Sequence, residues 1–225
     1  MNSIPERRER PRHVTVVVDN PSWIVPFAEE LVIQARESGD DAVFVREYQD
    51  ITDGSVAFYL GCLRVTPPEI LARNKQNLVV HASDLPKGRG FSPLTWQILE
   101  GKNRIPVCLL NAVEEADAGP VIYREEIEYE GHELLAELQQ KLGMMTIALC
   151  RRYLSEPIPP NGQPQAEDAT FYPRRRPIDS RLDPNRTIAD QFNLLRVVDN
   201  KRYPAWFDYQ GKRYVIGIEK KHDAD

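Results

Sequence analysis

Short apolar runs punctuate the first half of the chain, at residues 13–18 (HVTVVV), 42–47 (AVFVRE), 55–60 (SVAFYL), 77–80 (NLVV) and 105–110 (IPVCLL). Runs this brief, bounded by polar or glycine-containing turns, read as strands, and their near-continuous apolarity predicts burial on both faces. Between them lie segments suited to helices: 23–37 before Gly39, 67–74, and 93–100 before Gly101. The stretch 117–129 (DAGPVIYREEIEY) alternates apolar and charged residues, the pattern of a partly exposed strand. Residues 132–153 then set Leu134, Leu135, Leu138, Leu142, Met145, Ile147, Leu149 and Tyr153 at helical spacing, so the longest helix turns that stripe to the core. Strands alternating with helices predict an α/β fold with a Rossmann-like, mostly parallel sheet flanked by helices.

Past Leu154 the pattern changes. Pro157, Pro159, Pro160, Gly162 and Pro164 break regular structure, so residues 157–170 read as a linker between a main domain, 13–156, and a small extension, 171–221. In the extension a helix over 187–196, starting behind Asp183, Thr187 and Asp190, precedes a hairpin over 205–218 that turns at Gln210-Gly211. Residues 1–12, arginine-rich with Pro5 and Pro11, read as a disordered arm.

Composition narrows the classes of function. A chain of 225 residues is long enough for one large core without staples, and Cys62, Cys108 and Cys150 stand in apolar surroundings as reduced thiols of a cytoplasmic protein. The formal net charge of −5 argues against a nucleic-acid partner, and no apolar run approaches the length of a membrane span. The turn Asp19-Asn20-Pro21-Ser22 lacks the glycines a dinucleotide needs, and Lys87-Gly88-Arg89-Gly90 lacks the spacing and the Lys-Ser/Thr ending of a phosphate loop. Scattered histidines give no ligand spacing, so no metal is expected.

Candidate chemistry concentrates between His81 and Pro120. His81 stands at the carboxyl end of the 77–80 strand, where open α/β sheets place their ligand sites. The exit of the 105–110 strand carries Glu114, Glu115 and Asp117, so histidine and acids are expected to leave neighbouring strand ends together. This stretch resembles the catalytic block of the folate-dependent formyltransferases, the methionyl-tRNA formyltransferase-like family. His81, Ser83, Leu85, Pro86, Arg89, Gly90, Pro93, Trp96, Ile98, Gly101, Asp117, Gly119 and Pro120 match its pattern. The family's asparagine, two positions before the histidine, is Val79 here. Asn77 would lie about 13 Å from His81 along a strand. That leaves Asn111 and the Ser83 hydroxyl as alternative hydrogen-bond donors to the reacting carbonyl.

The resemblance implies 10-formyltetrahydrofolate as formyl donor and a Rossmann-like catalytic domain over 13–156. It makes His81 the proton carrier and Asp117 its support. It also implies that the loop containing Leu63, Arg64 and Val65 meets the pterin, with Arg89, Gly90, Val113, Glu114 and Asp117 completing the cofactor site. The segment from Tyr172 onward is similar to the small bacterial nucleotide-sugar N-formyltransferases, and the stretch past residue 156 is short for the C-terminal barrel of the transfer-RNA enzymes. The implied acceptor is therefore a nucleotide-linked amino sugar of surface-glycan biosynthesis. Tyr172, Arg174, Arg176, Phe192, Arg196 and Tyr203 would hold it, and residues 171–221 would cover it. The alternatives are a formyltetrahydrofolate hydrolase, a formyltransferase with another amine acceptor, or a catalytically inactive binding module. The sequence leaves a homodimer open and does not fix the oligomeric state.

Overall fold

A computed structural model describes residues 11–221. In chain order come β1 (His13–Val17), α1 (Val25–Glu37), β2 (Asp41–Val45), β3 (Gly54–Tyr59), α2 (Pro68–Leu71) and β4 (Asn74–His81). Next are β5 (Arg89–Gly90), α3 (Pro93–Leu99), β6 (Arg104–Asn111), β7 (Val121–Glu128) and α4 (Leu135–Ser155). The extension adds β8 (Phe171–Tyr172), α5 (Phe192–Arg196), β9 (Ala205–Tyr209) and β10 (Lys212–Ile216). The central sheet runs β2-β1-β3-β4-β6-β7, parallel from β2 through β4.

The apolar runs of β1, β3 and β6 are buried on both faces, whereas those of β2 and β4 are largely half-buried. Val14 and Val16 join Leu31, Leu138 and Leu149 in the core beneath α1 and α4, while Val17 and Tyr59 pack on the other face with Tyr48, Ile51 and Ile70. Because β2 and β3 leave β1 in opposite directions, the loops after β1 and β3 part at a crevice, the usual ligand position of open α/β sheets.

One expectation about the sheet fails. β6 runs antiparallel to β4, pairing His81 with Cys108 and Leu78 with Asn111, so its exit lies beside the middle of β4 and not beside His81. β6 and β7 form an antiparallel hairpin, and the 111–120 loop between them returns Asp117 to the histidine. A buried strand has the same composition in either direction, so NLVV and IPVCLL carry no sign of it.

The expected arm and linker differ as well. Residues 1–10 of the arm lie outside the described residues, but Arg12 is buried, its Nε 2.9 Å from Asp40 Oδ1. A carboxylate with no exposed side-chain surface requires a cation, and Arg12 supplies it. Residues 157–170 form a strap: Gln163 exchanges backbone hydrogen bonds with Val121, and Thr170 N donates to Pro86 O.

The extension has its own small core of Leu182, Leu195, Val198 and Ala205. The predicted helix is shorter than expected: its first part is a 3-10 turn preceded by Thr187, whose Oγ1 accepts from Asp190 N, and Asp183 instead accepts from Asn185 N. The hairpin turns at Gln210 and Gly211, both at positive φ. Arg196 joins the extension to the main domain. Its Nε donates to Glu133 O at 3.1 Å and its Nη1 to Asn103 Oδ1 at 2.8 Å, and Nη2 lies 3.3 Å from Glu133 Oε2.

Glu133 sets an acid limit on stability. Burial alone would raise its carboxyl, but Lys141 and the amides of Glu130 and Gly131 outweigh that and bring it from 4.5 to about 2. A depressed carboxyl stabilises the fold fully above its unfolded value and loses that contribution as pH falls through the folded one. We therefore expect roughly 3 kcal/mol of stability to disappear between about pH 4.5 and pH 2. Urea unfolding across that window checks it, since Glu133→Gln should flatten the pH dependence.

Candidate active site

His81 ends β4 and is buried, with both ring nitrogens engaged. Nε2 lies 2.8 Å from Gly88 O, and Nδ1 lies 3.3 Å from Asp117 Oδ1. A carbonyl can only accept, so Nε2 carries a hydrogen, and Nδ1 is the ring nitrogen that faces the Asp117 carboxylate. A proton taken up at Nδ1 would meet a carboxylate already beside it. The other oxygen of Asp117 accepts from Gly90 N at 2.9 Å, which locks the carboxylate's orientation.

Two glycines make this arrangement possible. A Cβ on Gly119 would stand 1.8 Å from Asn111 O, so only glycine lets the 111–120 loop close on itself. Gly90 has φ +98, and a Cβ there would meet Tyr172 O at 2.6 Å, where β5 pairs with β8.

The β3–α2 loop is held from below by Asp19, whose carboxylate accepts from Leu63 N (2.8 Å), Arg64 N (2.9 Å) and Asn20 Nδ2 (2.8 Å). Burial by itself raises this carboxyl, but these hydrogen bonds outweigh it and hold it below the ordinary carboxylate value. With its main chain fixed, the loop presents Leu63 and Val65 outward, 49% and 58% exposed.

A cleft of about 520 Å³ lies above these elements. Of the residues expected from sequence, it is lined by Leu63, Arg64, Val65, His81, Gly90, Asn111, Val113, Asp117, Arg174, Arg176 and Tyr203. Leu63, Val65, Phe91 and Val113 expose apolar surface to it, and Arg174, Arg176 and Arg202 stand along it as cations.

Other expected residues lie elsewhere. Arg89 is buried as a brace, donating to Gln165 Oε1 and Glu115 Oε1 at 2.9 Å each, so its charge is already matched by Glu115. Glu114 is exposed and does not line the cleft. Tyr172 stacks on Trp96 and donates to Glu100 Oε2 at 2.9 Å. Phe192 packs on the core of the extension, and Arg196 is 1% exposed and consumed by Glu133 and Asn103. Arg89 and Glu114, expected at the donor site, and Tyr172, Phe192 and Arg196, expected at the acceptor site, do not line this cleft: an aromatic ring or guanidinium that fills a core is not free to hold a ligand.

The two candidate donors separate. Ser83 is 2% exposed, does not line the cleft, and its Oγ has no hydrogen-bond partner among the described residues. Asn111 lines the cleft, but its pairing with Leu78 puts it, by alternation, on the opposite face of the sheet from His81. Val79 occupies the family's asparagine position on the face of His81, paired with Leu110. Sequence reasoning also missed Asp19, Gln165 and Arg202. An acidic residue directly after the first strand was the available signal for Asp19, and nothing in the local pattern marked the other two.

A family model described as formyl transferase matches residues 4–148. The chain belongs to the formyl transferase family. It is 34% identical over 167 residues to the methionyl-tRNA formyltransferase of Streptococcus gordonii, an alignment covering 73% of this chain and 53% of that protein, so the chain spans about half the length of this curated relative. Among solved structures, a methionyl-tRNA formyltransferase from Clostridium thermocellum superposes with TM-score 0.74 at 19% identity, over 95% of each chain. A sugar N-formyltransferase from a Shewanella species gives 0.70 at 15% identity, over 94% of this chain and 99% of that one. HypX from Aquifex aeolicus in complex with tetrahydrofolic acid gives 0.72 at 17% identity, over 92% of this chain and 38% of that one. At these identities the solved structures establish the formyltransferase fold. No helix among the described residues is long and apolar enough to cross a membrane.

Proposed function

We propose that this formyl transferase moves the formyl group of 10-formyltetrahydrofolate onto the amine of a nucleotide-linked amino sugar, in the cytoplasm. The observation that carries the reading is the His81–Asp117 pair in the wall of a cleft with apolar and cationic sections. The tetrahydrofolate-bound HypX structure supports a folate donor, and a cleft with Leu63, Val65, Phe91 and Val113 exposed along it suits a flat, largely apolar ring. The Shewanella structure, covered almost end to end, supports the sugar acceptor.

The donor supplies a formyl group already activated for transfer to nitrogen. As the acceptor amine bonds to the formyl carbon, the bond from that carbon to the folate nitrogen breaks. The proton shed by the amine passes to His81, with Asp117 supporting the charged ring, and the leaving nitrogen takes up a proton to give tetrahydrofolate. Arg174, Arg176 and Arg202 would meet a diphosphate through charge-assisted hydrogen bonds. Arg175 backs them, its guanidinium donating to Val197 O, Asp179 O and Ser180 Oγ.

Release of tetrahydrofolate from 10-formyltetrahydrofolate, followed with UDP-, dTDP- and GDP-linked 4-amino sugars, tests the reading. The 34% identity to a methionyl-tRNA formyltransferase favours one competing acceptor, so charged initiator transfer RNA is a further arm. Formate released without any amine would instead indicate a hydrolase. With a sugar nucleotide as acceptor, Arg174→Ala and Arg176→Ala should each raise its KM about tenfold while sparing the KM of the donor. Unchanged KM values would remove the arginines from the acceptor site.

A further inference from the structure

We infer that the strap over residues 163–170 sets the geometry of the His81–Asp117 pair, with Gln165 and Thr170 as positioning residues for the proton-handling step. The strap lies beyond the residues matched by the family model. Gln165 Nε2 donates to Asp117 O and Gly119 O, both at 2.7 Å, while its Oε1 accepts from Arg89 Nη2 at 2.9 Å. One amide side chain thus clamps the loop of Asp117 to the motif loop of Arg89. On the other side Thr170 Oγ1 accepts from Gly88 N at 2.9 Å, and Gly88 O accepts from His81 Nε2. Gln165 therefore holds Asp117 directly, and Thr170 reaches His81 through one residue, Gly88.

The clamp has physical work to do. Asp117 sits at φ +55, in the sparsely populated left-handed region, within an irregular loop that no sheet hydrogen bonds hold at that point. Gln165 holds the carbonyl of Asp117 itself and that of Gly119, two residues on. The strap is itself anchored at Gln163, through its backbone exchange with Val121, and at Asp168, 2.6 Å from Lys87 Nζ. Neither Gln165 nor Thr170 lines the cleft, so each acts through the groups it holds. A displacement of about 1 Å at a reacting group can lower a rate by about a hundredfold.

The inference rests on reading His81 and Asp117 as the proton-handling pair, so its test has one readout tied to turnover and one that is not. Gln165→Met and Thr170→Val keep the shape and remove the hydrogen bonds, whereas Gln165→Glu keeps the acceptor for Arg89 and removes the donor to the loop. With 10-formyltetrahydrofolate and a dTDP-linked 4-amino sugar, we expect Gln165→Met and Gln165→Glu to lower kcat about tenfold or more, with KM within twofold. Glu167→Gln, at an exposed strap residue outside the clamp, should stay within twofold. Independently of any turnover, imidazole ¹⁵N signals of His81 should change in Gln165→Met and Thr170→Val while amide signals of the central sheet hold. Unaltered His81 signals in both variants would overturn the inference even if formyl transfer is absent. Wild-type kcat in Gln165→Glu would overturn the role given to Gln165 as donor.

Discussion

His81→Ala should lower kcat for formyl transfer by about a thousandfold while leaving donor affinity within a few-fold. Loss of a positioned proton carrier removes a factor of roughly a hundred to ten thousand in other enzymes, and the buried ring has no neighbour able to replace it. Its Nε2 is tied to Gly88 O and its Nδ1 faces Asp117 Oδ1, so proton transfer and orientation are lost together. Asp117→Ala should fall by a similar amount, since it removes the carboxylate beside Nδ1 and the acceptor for Gly90 N at once. Asp117→Asn keeps an acceptor in that place without the charge, and should lie between Asp117→Ala and wild type. The double variant His81→Ala/Asp117→Ala should be no slower than the worse single variant, because residues that act as a unit fail together. Single-turnover kinetics with saturating donor measure all four. Losses that multiply would mean that the two side chains act separately.

The sheet was legible because strands buried on both faces leave runs such as VTVVV, and the turns between them carry glycine or proline. Strand direction was not, since a buried strand shows the same composition whichever way it runs. That one ambiguity displaced Asn111 in the sequence reading, for the antiparallel register of β6 carries it back to Leu78.

The meeting of His81 and Asp117 was legible through motif spacing, whereas which arginines line the cleft was not. Arg174, Arg176 and Arg196 are the same residue type within the extension, yet two line the cleft and one is buried. What separates them is the presence of Glu133 and Asn103 in distant segments, and that is a tertiary fact. Gln165 was hidden for a related reason: a single amide in a proline-rich stretch has no periodicity to betray it. Proline there signals only an absence of helix and sheet, and an irregular strap can be held by side chains as firmly as a strand is held by its ladder.

Arg196→Met should destabilise the protein by about 4 kcal/mol and leave acceptor affinity nearly unchanged in whatever fraction stays folded. Methionine fills much of the volume, so the loss reports the guanidinium and not a cavity. Removing one partner of a buried ion pair is far more damaging than replacing both, because the remaining charge keeps its desolvation penalty. Glu133 would retain Lys141 and two backbone amides, but Asn103 Oδ1 and Glu133 O would lose their donor at the seam between α5 and the start of α4. Arg196→Met should also raise amide exchange across α5 and the β9–β10 hairpin, since the extension's own core is small and this seam ties it to the main domain. In a double-mutant cycle with Glu133→Gln, urea unfolding should give a coupling energy of at least about 1 kcal/mol. A diphosphate ligand would behave in the opposite way. Its removal would raise the KM of the sugar nucleotide and leave the unfolding midpoint in place, a result that would return Arg196 to the acceptor site.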